Sequence, residues 1–415
     1  MKKSLPIYLL LLAAIVFSGV ALLPNSTATD ADDWGFFGHR RINRLAVFTL
    51  PPEMMVFYKK HIEYLTEHSV DPDKRRYATK HEAPRHYIDI DMWGTYPFEN
   101  VPRDWTDALM QYTDLYLVQG LRDTIHLFGN AQMTIDQEFV RSQSGIIVER
   151  RAYRNFFTRN VLNQYYEDEW IVSCDSLRAL LGYDTPCLTV LAIDRFSEHG
   201  ILPYHLLKMQ RDLTEAFRRK NTDRILRLSA EMGHYIGDAH VPLHTTVNYN
   251  GQLTDQVGIH ALWESRLPEL FADAQYDFFV GKAEYIENPR NYFWNIVLES
   301  HQLLDSVLLI EKDLSRTFPT DRQYCYEERL GRTIRTYCEA YAAAYHARMQ
   351  GMVEQRMRDA IHAIANSWYT AWVDAGQPDM RALASPGQAP LTDEEAAAIE
   401  AAFQKGNTKG REHEQ

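Results

Sequence analysis

Apolar residues recur at helical spacing through most of this chain. From His39 to Leu50 the repeat is Ile42, Leu45 and Ala46, with Thr49 closing it. Pro51 and Pro52 end that run and are placed to start another, MMVFYKKHIEYLTEHS. VDPDKRRYATKHEAPRHYIDIDMWG follows, and its Pro, Asp and Lys content reads as loop. Asp104–Phe128 and Asp136–Asn160 read as partly helical. His205–Lys220 and Asp223–Gly237 form a helical hairpin, with Asn221 or Thr222 as the cap of the second arm. Tyr292–Leu314 is a long amphipathic helix. Glu327–Val373 carries an apolar stripe that includes Leu330, Ile334, Tyr341, Met349, Met357 and Ile364, which reads as core. Strand-like alternation is sparse. The fold class expected is therefore all-α, a multi-helix bundle with an added helical C-terminal segment.

Composition changes this picture at the two ends. Lys2 and Lys3 precede an apolar run over Leu5–Leu23, the pattern of a secretory signal, with an uncleaved anchor as the alternative. Residues 1–33 are thus read as signal or anchor plus a polar spacer, 34–375 as a helical domain, and 376–415 as a polar, loose tail. Thr392–Phe403 is a candidate short capped helix within that tail. The four cysteines form two local pairs, Cys174 with Cys187 and Cys325 with Cys338. With an export signal these are the expected disulfides. The chain is then periplasmic, extracellular or anchored at its N-terminus. A net charge of −12 argues against a generic polyanion-binding surface and against a stable nucleic-acid partner.

The candidate chemistry is concentrated in Met232–Glu264. His234 and Asp238 lie four apart in one helical run, and His260 and Glu264 lie four apart in another. Residues at i and i+4 share a helix face, which suits two side chains gripping one cation. His244 follows Pro242, where a helix does not easily continue. Imidazoles with carboxylates, and no cysteine in this stretch, favour zinc or a similar divalent ion. The HExxH signature is absent, and no paired Glu-x-x-His pattern marks a di-iron bundle.

These residues resemble the zinc-dependent phospholipase C and single-strand-specific zinc nuclease superfamily. The likeness runs in separated blocks over Trp34–Glu269. It rests on HYIGDAHVPLH from His234 to His244, on HALWE from His260 to Glu264, on Trp34 with His39, and on HYID from His86 to Asp89. The resemblance implies a mainly helical fold holding two or three zinc ions. One zinc would take Asp73, His86, His234 and Asp238. A second would take His244, His260 and Glu264. A third would use His39, main-chain atoms of Trp34 and the Asp238 side. Asp73 is preferred to Asp71 because Arg76 follows it by three residues, as in the nuclease branch. Two departures stand out. Family members often begin at the Trp, whose amine ligates zinc, whereas Asp30–Asp33 precede Trp34 here. Glu264 is the phospholipase-branch ligand type; nucleases usually carry Asp.

The function this implies is an exported zinc-dependent phosphodiester hydrolase, phospholipase C-like or nuclease-like, with a metal-activated water. Its substrate would be a phospholipid or a nucleic acid, and contact with a membrane surface is a further expectation. Asp73 would orient the water or take its proton, and Arg76 would meet charge on the phosphoryl group. The competing expectation is a non-catalytic envelope protein that binds zinc or a partner on the same helical scaffold.

Overall fold

The computed structural model describes residues 32–120, 123–129, 133–329, 332–383, 394–406, 408, 409 and 411. The expected signal or anchor lies outside the described residues except for its last two positions. No helix among the described residues is long and apolar enough to cross a membrane.

Helices dominate, and seven of them carry the argument: α1 (Asp32–Ala46), α2 (Asp71–Arg75), α3 (Leu202–Arg218), α4 (Thr222–Ala239), α5 (Pro289–Thr317), α6 (Met352–Asp374) and α7 (Glu394–Gln404). The expected hairpin is α3 and α4. Pro203 starts α3, and the Asn221 side chain caps α4 by accepting from the Arg224 amide. The Asn288 side chain accepts from the Asn291 amide at the start of α5. α4 is buried along most of its length, from Ser229 to Ala239 without a break. It is the central helix, in contact with α1, α3, α5 and α6.

The close approach of α1 to α4 depends on two glycines one turn apart. A Cβ at Gly237 would sit 2.8 Å from Ile42 Cδ1 and 3.0 Å from His39 Nδ1. A Cβ at Gly233 would overlap the Asn43 carboxamide. Asn43 has little room to yield, because its Nδ2 donates to His39 O (3.1 Å) and it is fully buried. At the C-terminal end of α4, Arg356 of α6 donates through Nε to His240 O (3.0 Å) and through Nη2 to Ser300 Oγ (2.6 Å). Ser300 in turn donates to Ala239 O (2.6 Å). These bonds satisfy carbonyls at the end of α4 that have no partner within the helix.

The all-α expectation is corrected in part: the described residues are mainly helical but include nine strands in three antiparallel sheets. β1 (Thr113–Gly120), β2 (Asp123–Phe128), β6 (Trp170–Val172) and β7 (Thr189–Asp194) form a sheet of order β2-β1-β7-β6. β3 (Met133–Ile135), β4 (Phe139–Ser142) and β5 (Ile147–Glu149) form a second. The stretches read as partly helical are therefore strand over much of their length; Trp105–Tyr112 and Arg150–Asn160 are their helical parts. In β1 the buried residues Thr113, Leu115 and Leu117 alternate with half-buried ones, a period of two that a short window hides. Glu327–Val373 is corrected likewise. β8 (Tyr324–Arg329) and β9 (Arg332–Tyr337) pair as a hairpin before the helices begin. Gln350 and Gly351, both at positive φ, then separate Glu339–Arg348 from α6.

Both expected disulfides are present, Cys174–Cys187 and Cys325–Cys338. They fit an oxidising, exported environment. Of the stretch expected as a loose tail, Met380–Leu383 is helical and α7 packs against α2.

Replacing Gly233 by Ala should lower the unfolding free energy by about 1–3 kcal/mol through overpacking against Asn43, despite Ala's better helix propensity, roughly 1 kcal/mol. Urea unfolding of the two chains checks this. Equal or greater stability of the variant would mean that α1 does not need a bare α4 face.

A candidate metal centre

Six segments deliver the candidate ligands. α1 presents His39; α2 presents Asp73; the 3-10 turn Ala83–Arg85 leads into His86; α4 presents His234 and Asp238 one turn apart. Past α4, the 3-10 turn Pro242–Thr245 carries His244. The run Ala261–Arg266, which follows His260 and contains Glu264, is π-helical rather than the α-helix that the spacing suggests. Such wider turns concentrate at functional sites. Here the π turn still brings His260 Nε2 to 2.6 Å from Glu264 Oε2.

These residues meet in one buried knot. His39, His234 and Asp238 form one group able to hold a metal ion; Asp73, His86 and His234 form a second; His244, His260 and Glu264 form a third. Asp73 is 13% exposed and the other seven ligand-type side chains are at most 8%, so Asp73 stands at the rim. His234 Nε2 lies 3.1 Å from His86 Nδ1, and His260 Nε2 lies 3.1 Å from His244 Nε2. Asp238 Oδ2 is 3.0 Å from His86 Nδ1 and 3.4 Å from His234 Nε2. Asp73 Oδ1 approaches the same two nitrogens at 3.6 and 3.5 Å. The rings of His39 and His234 stack with centroids 3.8 Å apart. His39 Nε2 stands between Asp238 Oδ1 (3.4 Å) and Glu264 Oε1 (3.5 Å), so it links the groups.

Outer partners fix how the rings face. His244 Nδ1 donates to His86 O (2.6 Å), which turns its Nε2 inward as an acceptor. Glu82, fully buried, lies 3.7 Å from His86 Nε2 and is held by Arg85 (2.7 Å), Arg75 (3.4 Å) and the Tyr235 hydroxyl. The reading from sequence missed Glu82. The signal was its place four residues before His86, in EAPRH.

The electrostatics favour a cation. Burial opposes ionisation of the carboxylates, yet the surrounding histidines hold Asp73 and Asp238 below the usual carboxylate range, and Glu264 well below it. Burial also opposes charge on His39, but the carboxylates of Glu264, Asp238 and Asp73 outweigh it and raise His39 to about 9. A proton or a metal ion must therefore offset the buried negative charge. Among the described residues Asp238 Oδ1 has no hydrogen-bond donor, although it is wholly buried. An acceptor of that kind fits an oxygen that ligates an ion. Oxygen and imidazole donors, without sulfur, suit zinc and its divalent neighbours.

Every expected site residue except Trp34 is brought to the knot or its edge. The main chain of Trp34 lies inside α1, so its nitrogen is a peptide amide, and its side chain lies outside the described ones. Asp71 turns away and pairs with His68 Nδ1 (2.6 Å). Arg76 Nη1 stands 4.0 Å from Asp73 Oδ1. Tyr204 is core, packed on Trp294 and Phe196. His240, an extra histidine in the ligand block, donates from Nδ1 to Ile236 O (2.7 Å).

A scan against protein-family models finds no match to this chain, and a search of curated proteins finds none.

Two outcomes are expected. Saturating zinc should raise the stability of the metal-stripped chain by about 4 kcal/mol at a thousandfold excess over Kd. His234→Ala, which removes a donor common to two groups, should abolish most of that gain in a thermal melt and lower the bound metal found by elemental analysis. The second outcome concerns pH. Burial, then the charge of Arg356, lower the His240 pKa well below the ordinary imidazole value. The folded state thus keeps His240 neutral, while the unfolded chain takes up a proton near pH 6.5. Stability from this group is present above that pH and is lost as pH falls below it, by up to about 1.4 kcal/mol per unit. In metal-stripped protein, denaturant unfolding between pH 7 and 5 should show a shallower loss for His240→Gln than for the parent.

Proposed function

We propose that this chain is an exported zinc-dependent phosphodiester hydrolase of the phospholipase C and zinc nuclease type. The observation that supports this reading best is the convergence of five imidazoles and three carboxylates on one buried knot with a single acid, Asp73, at its rim. His86, His234 and Asp238 with Asp73 would hold one ion, His244, His260 and Glu264 a second, and His39 with the Asp238 and Glu264 oxygens a third. Close-set divalent ions would lower the pKa of a water, neutralise phosphoryl oxygens and stabilise the leaving oxygen.

The chain's own groups supply the rest. Asp73 is the carboxylate nearest solvent, so it can orient a water and take its proton. Its low pKa keeps it ionised for that role at neutral pH. Arg76, beside it, carries a permanent charge able to meet the phosphoryl oxygens. Glu82, behind His86, fixes the ring without reaching the substrate. The substrate class stays at phosphodiesters of lipid or nucleic acid, and the two are separated by assay on phosphatidylcholine vesicles and on single-stranded DNA.

The zinc-loaded protein should hydrolyse at least one of these, or bis(p-nitrophenyl) phosphate. Arg76→Met should lower kcat/KM by about 100-fold, the scale of a lost charge-stabilising donor, with zinc content and melting temperature kept. Full zinc occupancy without turnover on any of the three substrates would leave the non-catalytic zinc-binding reading in place of this one.

A further inference from the structure

Residues near the end of the sequence pack onto the segments that carry the candidate ligands. α7 packs against α2, the turn that carries Asp73. Phe403 of α7 sits 5.2 Å from Tyr77 and 6.1 Å from Phe36, ring centre to ring centre. Lys74 of α2 stands over the Phe403 ring and pairs with Glu400 (2.8 Å). Beyond the helix, the Lys409 amide donates to Arg76 O (2.9 Å) and Lys409 Nζ donates to Ala78 O (3.1 Å).

Arg411 makes the most specific contacts. Its Nη1 donates to both oxygens of Asp89, at 2.7 and 2.9 Å, and its Nη2 donates to Thr246 O (3.3 Å). The guanidinium lies 4.1 Å from the Tyr87 ring centre and 3.7 Å from that of Tyr249. Its own carbonyl accepts from Arg76 Nη2 (2.7 Å). Tyr87 and Asp89 follow His86 directly, and Thr246 is two residues past His244, so the cage is built from the segments that carry the ligands. A planar cation between two phenol rings and over a buried carboxylate combines cation–π attraction with a charge-assisted bond. The contact with Arg76 engages the cation to which the phosphoryl group is assigned above.

We propose that residues 394–406, with Lys409 and Arg411, form a built-in plug: Arg411, seated on Asp89 between Tyr87 and Tyr249, closes the mouth of the metal centre and ties up Arg76, so that substrate enters only when these residues are displaced or cut away. The cage is accordingly a guanidinium site that the chain fills with its own arginine. The effect on turnover rests on the phosphodiesterase reading; the effect on access does not.

The test compares the full-length parent with Arg411→Ala and Phe403→Ala. Hydrolysis of bis(p-nitrophenyl) phosphate by the zinc-loaded chains is followed, together with hydrogen exchange of the amides of Lys405, Gly406 and Lys409. The parent amides should exchange slowly and those of both variants faster. kcat/KM should rise roughly tenfold in Arg411→Ala, the scale of a lost charge-assisted bond, and should rise also in Phe403→Ala. Millimolar arginine amide should reverse the gain in Arg411→Ala by refilling the cage. Unprotected tail amides in the parent, or equal turnover by all three chains, would overturn the plug. If none of the three turns over, the phosphodiesterase reading fails, and access is read from zinc uptake by the metal-stripped chains. Faster uptake in the variants upholds the plug; equal or absent uptake overturns it.

Discussion

Buried negative charge is the constraint on which this structure depends. Asp238 and Glu264 lie inside the molecule, and Asp73 lies at its inner rim. An unpaired carboxylate in such a place would cost several kcal/mol. The chain answers with five imidazoles, each able to be a neutral donor or a cation, and with facing nitrogens 3.1 Å apart that converge on shared centres. An arrangement of this kind is unsettled by itself, because neighbouring histidines cannot all be charged together. It is at rest when divalent ions take the positive role and the rings serve as neutral ligands.

The scaffold is shaped to hold that knot together. α4 carries two candidate ligands and is buried from Ser229 to Ala239, so its own geometry is secured by neighbours: α1 through the bare face at Gly233 and Gly237, and α6 through Arg356. The glycines give up helix propensity to let His39 stack on His234. Arg356 satisfies the end of α4 just before the chain turns at Pro242 to present His244. Metal affinity and fold stability are thus coupled, since the same contacts that pack the helices aim the ligands.

The charge pattern at the mouth bears on what enters. The cleft that receives Arg411 is lined by Tyr87, Asp89, Glu198, His199 and Tyr249, so its wall is acidic and aromatic, whereas Arg76 beside Asp73 offers positive charge. The acidic and aromatic wall explains why the Arg411 guanidinium settles there.

The sequence by itself determined the helical hairpin, its Asn221 cap, both local disulfides and the two i, i+4 ligand pairs. Each is set by neighbours a few residues away, where periodicity, capping and short separations are readable. The family resemblance, not the spacing, preferred Asp73 to Asp71; in the structure Asp71 is turned toward His68, whereas Asp73 faces His86 and His234. The strand Thr113–Gly120 escaped the sequence reading, because its pairing with the distant β7 defines it more than its own pattern, whereas the local hairpin Tyr324–Tyr337 was hidden at the start of an apolar stripe read as helical. Only the tertiary structure decided that His39 joins His234, that Glu82 backs His86, that α7 docks on α2 and that Arg411 reaches Asp89. Those contacts span 195, 4, 326 and 322 positions, counting Lys74–Glu400 for the docking. All but the Glu82 contact join residues whose spacing along the chain carries no trace of their meeting, since packing of the helices alone brings them together.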